Sequence, residues 1–339
     1  MLYIKLGFVI GVCLLLTVLQ SLVQPWITHA QRAAANPAMS RPQPDEILPE
    51  MDPLEVEGDI VMMGSETLFP LTETLYEHFV EAGYADTIRL MKIGTSAGFQ
   101  LFCEQGTADV VIATRRINIP ERLACLQRDR HIVELRLGTD ALVVVVNPDN
   151  DLVRKASLAQ LEAIFTAEKW SDVNADWPEE KIIRFVPDPN SVAFRYFTIR
   201  IFGTLPSPLL HAPNTTLSSD HEELTTGLSV NQYAVGFLDY AHYQQQALLL
   251  KALSVDGVEP DEQSVKTRQY PLLRPLFISS SPTIIRSKPQ VRAFLTSSVN
   301  HVSDVIGEVG LFAVSQDIMD ETKQHLKRAA YPSLTLKTP

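Results

Sequence analysis

The feature that most constrains the fold is a regular alternation of short apolar segments and amphipathic segments that begins at Gly58. The first segment, Asp59–Met63, is typical of a strand, and the apolar residues after it recur at helical spacing up to Gly83. Leu142–Val146 is apolar at every position, which is typical of a strand buried on both faces. Strands that alternate with helices predict an α/β fold whose sheets are mostly parallel.

Length and composition exclude several classes of protein. The chain has 339 residues, of which 45% are hydrophobic and 20% charged, so it can build a large core and is not disordered throughout. Its formal net charge of −11 argues against nucleic acid as a partner, because a phosphate backbone requires a basic face. The sequence contains no P-loop, no dinucleotide-binding glycine fingerprint and no metal-ligand spacing. We therefore expect no cofactor and no metal site.

The N-terminus has the order of a secretory signal. Lys5 precedes an apolar run, Leu6–Leu19, and Thr28-His29-Ala30 offers a small-residue cleavage site. This run is shorter than the ~20 residues of a comfortable membrane-spanning helix. Residues 1–30 are therefore expected to be a signal peptide or a retained N-terminal anchor, and residues 31–57, rich in Pro, Ala and acidic residues, a disordered tether. Both alternatives predict an exported, periplasmic protein, held at the membrane if the segment is not cleaved.

The sequence contains three cysteines, and Cys13 falls in the targeting segment. Cys103 and Cys125 remain as an even pair in an exported domain, which predicts one disulfide. Closing a loop of this size would contribute ~3 kcal/mol to stability in the chain-entropy model. Two buried free thiols are the alternative.

Hydroxyl side chains recur where a predicted strand gives way to a helix. They occur at Ser65–Thr67, at Thr95-Ser96 and at Asn190-Ser191, and a further strand ends at Thr114-Arg115. The first turn of a helix leaves backbone N–H groups free and carries a partial positive charge. Ser, Thr and Asn there either cap the helix or also donate to a bound anion. Capping alone explains any single turn. The four turns together are a candidate anion site, because ligands of open α/β sheets bind beyond the carboxyl ends of the strands.

These turns lie within motifs that resemble the periplasmic phosphate-binding proteins of ABC transporters, of which the chain would be a divergent member. The resemblance begins at Gly64-Ser65-Glu66-Thr67-Leu68-Phe69-Pro70-Leu71 and covers roughly residues 58–320 in the family's order. The later motifs are Ile93-Gly94-Thr95-Ser96-Ala97-Gly98-Phe99, Ala113-Thr114-Arg115, Asp140–Asn147, Phe194–Thr198, Ala234-Val235-Gly236-Phe237 and Tyr270–Phe277. Each motif is loose, and their ordered series is more specific.

The resemblance implies an α/β, two-lobed type II periplasmic-binding-protein fold, the Venus-flytrap arrangement. Residues 58–140 and 245–335 would form one lobe and residues 141–244 the other, with the ligand between them. It also implies an extracytoplasmic binding protein and not an enzyme, with no catalytic residue. Such a protein would bind inorganic phosphate or another oxyanion as a monomer and serve the membrane subunits of an ABC transporter.

Carried over motif by motif, the resemblance also implies a set of ligand contacts. They are Ser65, Thr67, Thr95, Ser96, Thr114, Arg115, Asn190 and Ser191. Arg115 would be the main charged contact, because a guanidinium can pair with two phosphate oxygens.

Three positions depart from the family's pattern. Glu66 stands where a Ser or Gly is usual, and its carboxylate could accept a proton that the anion carries. The family's Ser-Gly-Thr at the fourth turn is here Ser191-Val192-Ala193, which adds a bulky side chain and removes a hydroxyl. A degenerate protein that acts as a sensor or scaffold without tight anion binding is therefore an alternative function.

Gly94-Thr95-Ser96-Ala97-Gly98 also matches the G-x-S-x-G pattern of a nucleophile elbow. A serine hydrolase would use Ser96 with one histidine, oriented by Asp188 or Asp239. The candidate histidines are His211, His221, His242 and His301. No His-Gly-Gly oxyanion loop precedes the pattern, which argues against this alternative.

Overall fold

The computed structural model describes residues 48–203 and 207–331. The signal peptide or anchor predicted for residues 1–30 lies outside the described residues. Within the two described ranges, no helix combines the length and the apolar character needed to cross a membrane.

Strands and helices alternate along the described chain as the sequence predicts. The strands are β1 (Ile60–Gly64), β2 (Ile88–Lys92), β3 (Val110–Ala113), β4 (Val133–Val146), β5 (Lys155–Ala156), β6 (Ile183–Pro187), β7 (Thr215–Ser218), β8 (Ala234–Asp239), β9 (Lys251–Ala252), β10 (Ser254–Val255), β11 (Leu273–Ser280) and β12 (Phe312–Ala313). The α-helices are α1 (Phe69–Glu81), α2 (Thr95–Gln100), α3 (Ile119–Gln127), α4 (Leu158–Ile164), α5 (Trp170–Val173), α6 (Val192–Phe202), α7 (His221–Val230), α8 (Tyr240–Gln245), α9 (Glu262–Lys266), α10 (Pro282–Ser287), α11 (Pro289–Val305) and α12 (Gln316–Ala330). Short 3₁₀ turns lie at Pro53–Glu55, Glu66–Leu68 and Pro208–His211, and Leu101–Gln105 is a π-helical turn.

Most strands belong to one mixed sheet, in the order β2-β1-β3-β11-β4-β8-β6-β7, with β9 and β12 also pairing with β4. β1 is parallel to β2 and β3, and β6 is parallel to β7 and β8. Between these two groups lie β11 and β4, which are antiparallel to each other and to their outer neighbours. The α/β class is therefore confirmed. The expectation of mostly parallel sheets is wrong at the centre, because the two long central strands run in opposite directions.

β4 joins the two parallel groups. Its first part, residues 133–141, pairs with β11, and Leu142–Val146 pairs with β8. Only the second part is apolar at every position, and it is the part that the sequence predicts. In the first part, buried Leu135 and Leu137 alternate with Glu134 and Arg136, so a search for a continuous apolar run does not detect it.

The hydrophobic core consists of separate clusters. The first core cluster takes its residues from 48–137 and 276–330, and the second takes them from 141–272 together with Phe312. A smaller cluster that includes Val143 and Leu228 lies beside the second. The expected division at residue 245 differs from this packing, because Val265 and Leu272 lie in the second core cluster.

Residues 48–57 differ from the disordered tether predicted up to residue 57. Leu48 and Val56 are buried in the first core cluster, and the Asp52 side chain caps the turn that follows it. Asn300 Nδ2 donates a hydrogen bond to the Leu48 carbonyl at 3.2 Å. A few apolar residues hold this segment on the core, although its proline and acidic content is typical of a tether.

The predicted disulfide is confirmed. Cys103 and Cys125 are bonded, with a Cα–Cα distance of 4.1 Å, and both are buried. The bond joins the π-helical turn to α3.

Candidate functional site

The first three predicted turns meet at the carboxyl edge of β1, β2 and β3. In the strand register, Gly64 at the end of β1 lies beside Lys92 of β2 and Ile112 of β3. Gly64 has a φ of 150°, and a Cβ atom there would lie 1.9 Å from the Ile112 carbonyl oxygen. Only glycine fits this position, so the chain can turn sharply from β1 into the first predicted site residues.

Hydroxyl groups fix these turns by bonding to the main chain and to each other. Ser65 is fully buried, and its Oγ accepts a hydrogen bond from the Thr67 N–H at 3.3 Å. Thr95 Oγ1 accepts from the Thr114 N–H at 3.3 Å, and the Oγ1 atoms of these two threonines lie 3.4 Å apart. Capping therefore accounts for Ser65, and Thr95 ties the second turn to the third.

Arg115 is paired within the same group of turns. Its Nη1 and Nη2 atoms donate to the two carboxylate oxygens of Glu121 at 2.8 and 2.7 Å, and Nη2 also donates to Ser96 Oγ at 2.9 Å. The Arg115 side chain is 37% exposed, so part of the guanidinium remains accessible. An anion bound to Arg115 would have to share this group with Glu121.

A cleft of about 450 Å³ brings the first predicted turn together with the fourth. Glu66 and Thr67 line it, and so do Asn190 and Ser191. The Ser191 side chain caps α6 by accepting from the Phe194 N–H at 3.1 Å, which leaves the helix N-terminus at the cleft. Hydroxyl and amide groups that are far apart in the sequence thus share one cavity.

The other predicted contacts do not line this cleft. They are Ser65, Thr95, Ser96, Thr114 and Arg115. Val192 and Ala193, the two departures at the fourth turn, do line it. Both residues lie in the first turn of α6, where an anion would approach the free backbone N–H groups.

Several lining residues were missed as ligand contacts in the sequence, although three of them, Asp188, His221 and Asp239, were considered for the hydrolase alternative. Ser218 and Ser219 are missed as well. All five residues end or follow strands of the second parallel group, or open the helix after one of them. In the register of β6 and β7, Pro187 lies beside Ser218, so residues after both strands meet at one edge. Ser218 and Ser219 carry the same signal as the predicted turns, hydroxyl groups between a strand and a helix.

One carboxylate of the cleft is held by a buried arginine. Asp239 contacts Arg274 Nη2, which also contacts Asp140. Arg274 and Asp140 are each 1% exposed. Burial raises the pKa of Asp140 to about 6 against the opposing attraction of Arg274. The central strands are therefore tied to the cleft through Asp239.

Two histidine rings lie against each other at the same edge, with an interplanar angle of 46°. The ring centroids of His221 and His242 lie 4.5 Å apart, and His242 Nε2 lies 3.0 Å from Thr225 Oγ1. Burial, with the nearby His221 as a second cause, lowers the pKa of His242. Of the two histidines, His221 lines the cleft and His242 lies behind it against Thr225.

Among the described residues, no candidate histidine is hydrogen-bonded to Ser96, as a serine hydrolase would require. The Ser96 hydroxyl accepts from Arg115, whereas His242 contacts Thr225 and His301 contacts Glu50. Within residues 48–203 and 207–331, no three His, Cys, Asp or Glu side chains are grouped to hold a metal ion.

Comparison with known proteins identifies the family. Residues 41–298 match the model of the PBP superfamily domain. The chain is 31% identical over 276 residues to Protein SphX of Synechocystis sp., covering 78% of this chain and 81% of the relative. It is 25% identical over 281 residues to the phosphate-binding protein PstS of Staphylococcus haemolyticus, covering 81% of this chain and 87% of the relative.

A solved structure agrees with these relatives. It is described as "a possible phosphate binding protein" from Planctomyces limnophilus, and it is 28% identical with a TM-score of 0.67. The similarity covers 81% of this chain and 99% of that protein. The type II periplasmic-binding-protein fold is thereby confirmed, and so is the expectation that the chain is a binding protein and not an enzyme. This chain belongs to the PBP superfamily and, within it, to the periplasmic phosphate-binding protein family.

Proposed function

We propose that this protein binds phosphate, or a related oxyanion that carries a proton, in the 450 Å³ cleft. The observation that carries the proposal is that Thr67 and Ser191, which follow strands of different parallel groups, line one cavity. The names of the relatives support phosphate as the ligand. The two main core clusters support two lobes, with β4 and β11 crossing between them.

The chemistry of the lining favours an anion that can also donate hydrogen bonds. The N-terminus of α6 and the hydroxyls supply donors, whereas Glu66 and Asp188 supply carboxylate acceptors. Phosphate carries a proton at neutral pH and can donate to a carboxylate, which sulfate cannot do. Each hydrogen bond that involves a charged group contributes ~1.5–3 kcal/mol, so this difference is large enough to select one anion over the other.

Arg115 does not line the cleft in the structure, and in this proposal it supplies the main positive charge from the third turn, which adjoins the first turn where β1 pairs with β3. It lies at the end of the third turn, and Thr114 beside it is joined to the second turn through Thr95. Its contact with Glu121 holds the guanidinium in one orientation before any ligand arrives. The described lining of the cleft carries carboxylates and no Lys or Arg, so a bound anion needs a cation from outside this lining.

The proposal includes export and a transport role. The relatives support an extracytoplasmic protein, and we infer that residues 1–30 direct the chain there. We also infer that the protein acts as a monomer and delivers its ligand to the membrane subunits of an ABC transporter.

Calorimetric titration with phosphate, arsenate, sulfate and molybdate tests the ligand. We expect phosphate and arsenate to bind more tightly than sulfate. Thr67→Val removes a hydroxyl from the cleft with little change in size and should weaken phosphate binding by about tenfold. Thr74→Val is the matched control, because Thr74 lies on α1 with its hydroxyl bonded to the Pro70 carbonyl. Equal binding by both variants would place the ligand elsewhere.

The degenerate sensor or scaffold is the second candidate function. Val192 and Ala193 line the cleft, and among the described residues that line it there is no Lys or Arg. Failure of the wild-type protein to bind any of the four anions in the same titrations would favour this candidate.

A further inference from the structure

A group of cationic side chains lies apart from the proposed phosphate cleft. Arg116, Arg136 and Arg268 line a cavity of about 90 Å³. This cavity and the 450 Å³ cleft share no lining residue. Arg116 and its neighbour Arg115 have different carboxylate partners, because Arg116 pairs with Glu134 and Arg115 pairs with Glu121.

These three arginines come from three separate parts of the fold. Arg136 lies on β4 directly opposite Phe277 of β11. Arg116 follows β3, and its Cζ atom lies 5.3 Å from the centre of the Phe277 ring. Arg268 follows α9 in a left-handed backbone conformation with a φ of 59°. Their convergence is therefore a property of the tertiary structure and not of one exposed loop.

The carboxylate nearest to Arg116 is shared among several donors. Glu134 Oε2 lies 3.6 Å from Arg116 Nη1 and 3.2 Å from Arg122 Nη2. Its other oxygen, Oε1, accepts from the Ile117 N–H at 2.8 Å. Glu134 therefore cannot neutralise Arg116 fully.

The positive charges of Arg136 and Arg268 have no carboxylate partner among the described residues. Arg136 Nη2 donates to the neutral Thr139 hydroxyl at 3.0 Å, and Arg136 Nε is buried without a hydrogen-bond partner. The Arg268 side chain forms no hydrogen bond or ion pair with any residue in the part of the chain that the structure describes. Burial, followed by the charges of Arg268 and Arg116, lowers the pKa of Arg136 to about 10, so the three cations repel one another.

The second carboxylate of this cavity, Glu321, lies beside His325, which lines the same cavity. Glu321 on α12 lies 3.8 Å from His325 Nε2. Three arginines thus face two carboxylates, and one buried donor has no acceptor. The arginines of this cavity thus outnumber its carboxylates, and a bound anion would offset the excess positive charge.

We propose that Arg116, Arg136 and Arg268 form a second anion site, which takes one small tetrahedral oxyanion such as sulfate or phosphate. The cavity of about 90 Å³ equals roughly three water volumes, which suits a single oxyanion and excludes a nucleotide. Guanidinium groups pair with two oxygens of such an anion at once. Guanidinium donors do not require a proton on the ligand, so sulfate and phosphate should bind with similar affinity.

Equilibrium dialysis with radiolabelled sulfate tests the site, at neutral pH and at constant ionic strength set with sodium chloride. We expect one sulfate per chain. Arg268→Gln and Arg116→Gln should each weaken it by at least about tenfold, and both side chains are exposed, so neither variant should unfold. Arg89→Gln is the control, because Arg89 is an exposed arginine paired with Asp59.

The outcomes separate this site from the proposed phosphate cleft. Thr67→Val should leave sulfate binding unchanged, even if the cleft binds no anion at all. The proposal is overturned if the wild-type protein does not bind sulfate. It is equally overturned if Arg268→Gln and Arg116→Gln bind sulfate as tightly as the wild type, or if Thr67→Val removes the binding.

Discussion

Arg274 and Asp140 lie directly opposite each other on the antiparallel strands β11 and β4, and their side chains form an ion pair at the centre of the sheet. The same guanidinium contacts Asp239, whose side chain is 31% exposed and lines the cleft. A single arginine therefore links the crossing strands to the wall of the proposed ligand site.

Replacing this arginine should destabilise the protein strongly. Arg274→Ala leaves Asp140 buried without its partner, and we expect the free energy of unfolding to fall by ~3–5 kcal/mol. Urea denaturation measures this change. Arg89→Ala is the control, since the Arg89–Asp59 pair is 64% and 46% exposed and should contribute less than ~1 kcal/mol. Similar losses in both variants would contradict a special role for the buried pair.

His242 should make stability depend on pH. Its folded pKa is lowered by burial and by His221, so below the ordinary value of about 6.5 the unfolded chain takes up the proton more readily than the folded protein. Stability is therefore lost as pH falls from about 6.5 towards the lowered pKa of the folded state. His242→Gln should flatten the stability profile below about pH 6.5. Thermal melts across this range, with His211→Gln as an exposed control, measure the slope, and an unchanged slope in His242→Gln would refute the assignment.

Gly64 should tolerate no side chain. Gly64→Ala would bring a Cβ atom to 1.9 Å from the Ile112 carbonyl oxygen and force a left-handed φ on alanine. We expect a loss of more than about 1 kcal/mol in the free energy of unfolding, together with weaker phosphate binding, because the first turn is displaced. Gly307→Ala is the matched control, since its Cβ would meet nothing within 4 Å. A neutral Gly64→Ala would show that β1 and β3 can separate at low cost.

Arg115→Ala tests the proposed charged contact. We expect it to weaken phosphate binding by ~2–4 kcal/mol, at least about 30-fold in the dissociation constant. Arg154→Ala is the control, because Arg154 is 79% exposed and pairs with Asp151. If the wild type binds phosphate and Arg115→Ala binds it equally well, the cation that compensates the ligand must be a different residue.

Local patterns predicted the elements that they determine. Ser191 followed by an apolar face predicts a helix over Val192–Phe202, and the structure has the same bounds. Leu142–Val146 was predicted because both of its faces are buried. The antiparallel pairing of β4 with β11 was not predicted, because it joins residues such as Asp140 and Arg274 that lie far apart in the sequence.

The candidate site likewise has features that the sequence predicts and features that depend on the tertiary structure. The sequence predicts which turns carry hydroxyl groups, because capping and strand ends are local features. It does not predict that Thr67 faces the cleft while Ser65 is buried, or that Asp239 joins them. Those facts depend on the twist and order of strands that are distant in sequence. The ligand contacts proposed for Arg115 and the other residues remain predictions that binding measurements must test.

The composition of the two main core clusters sets an order of events for a chain that emerges from its N-terminus. The second core cluster draws almost entirely on one continuous stretch, residues 141–272, whereas the first joins residues 48–137 to residues 276–330. Residues 48–137 therefore cannot complete their core until residues 276–330 have been synthesised. Until then, part of their apolar surface has no packing partner. Loop closure across the intervening stretch is cheapest once that stretch has condensed. The part of the protein synthesised first is thus the part completed last, and it is the part most dependent on protection from aggregation during biogenesis.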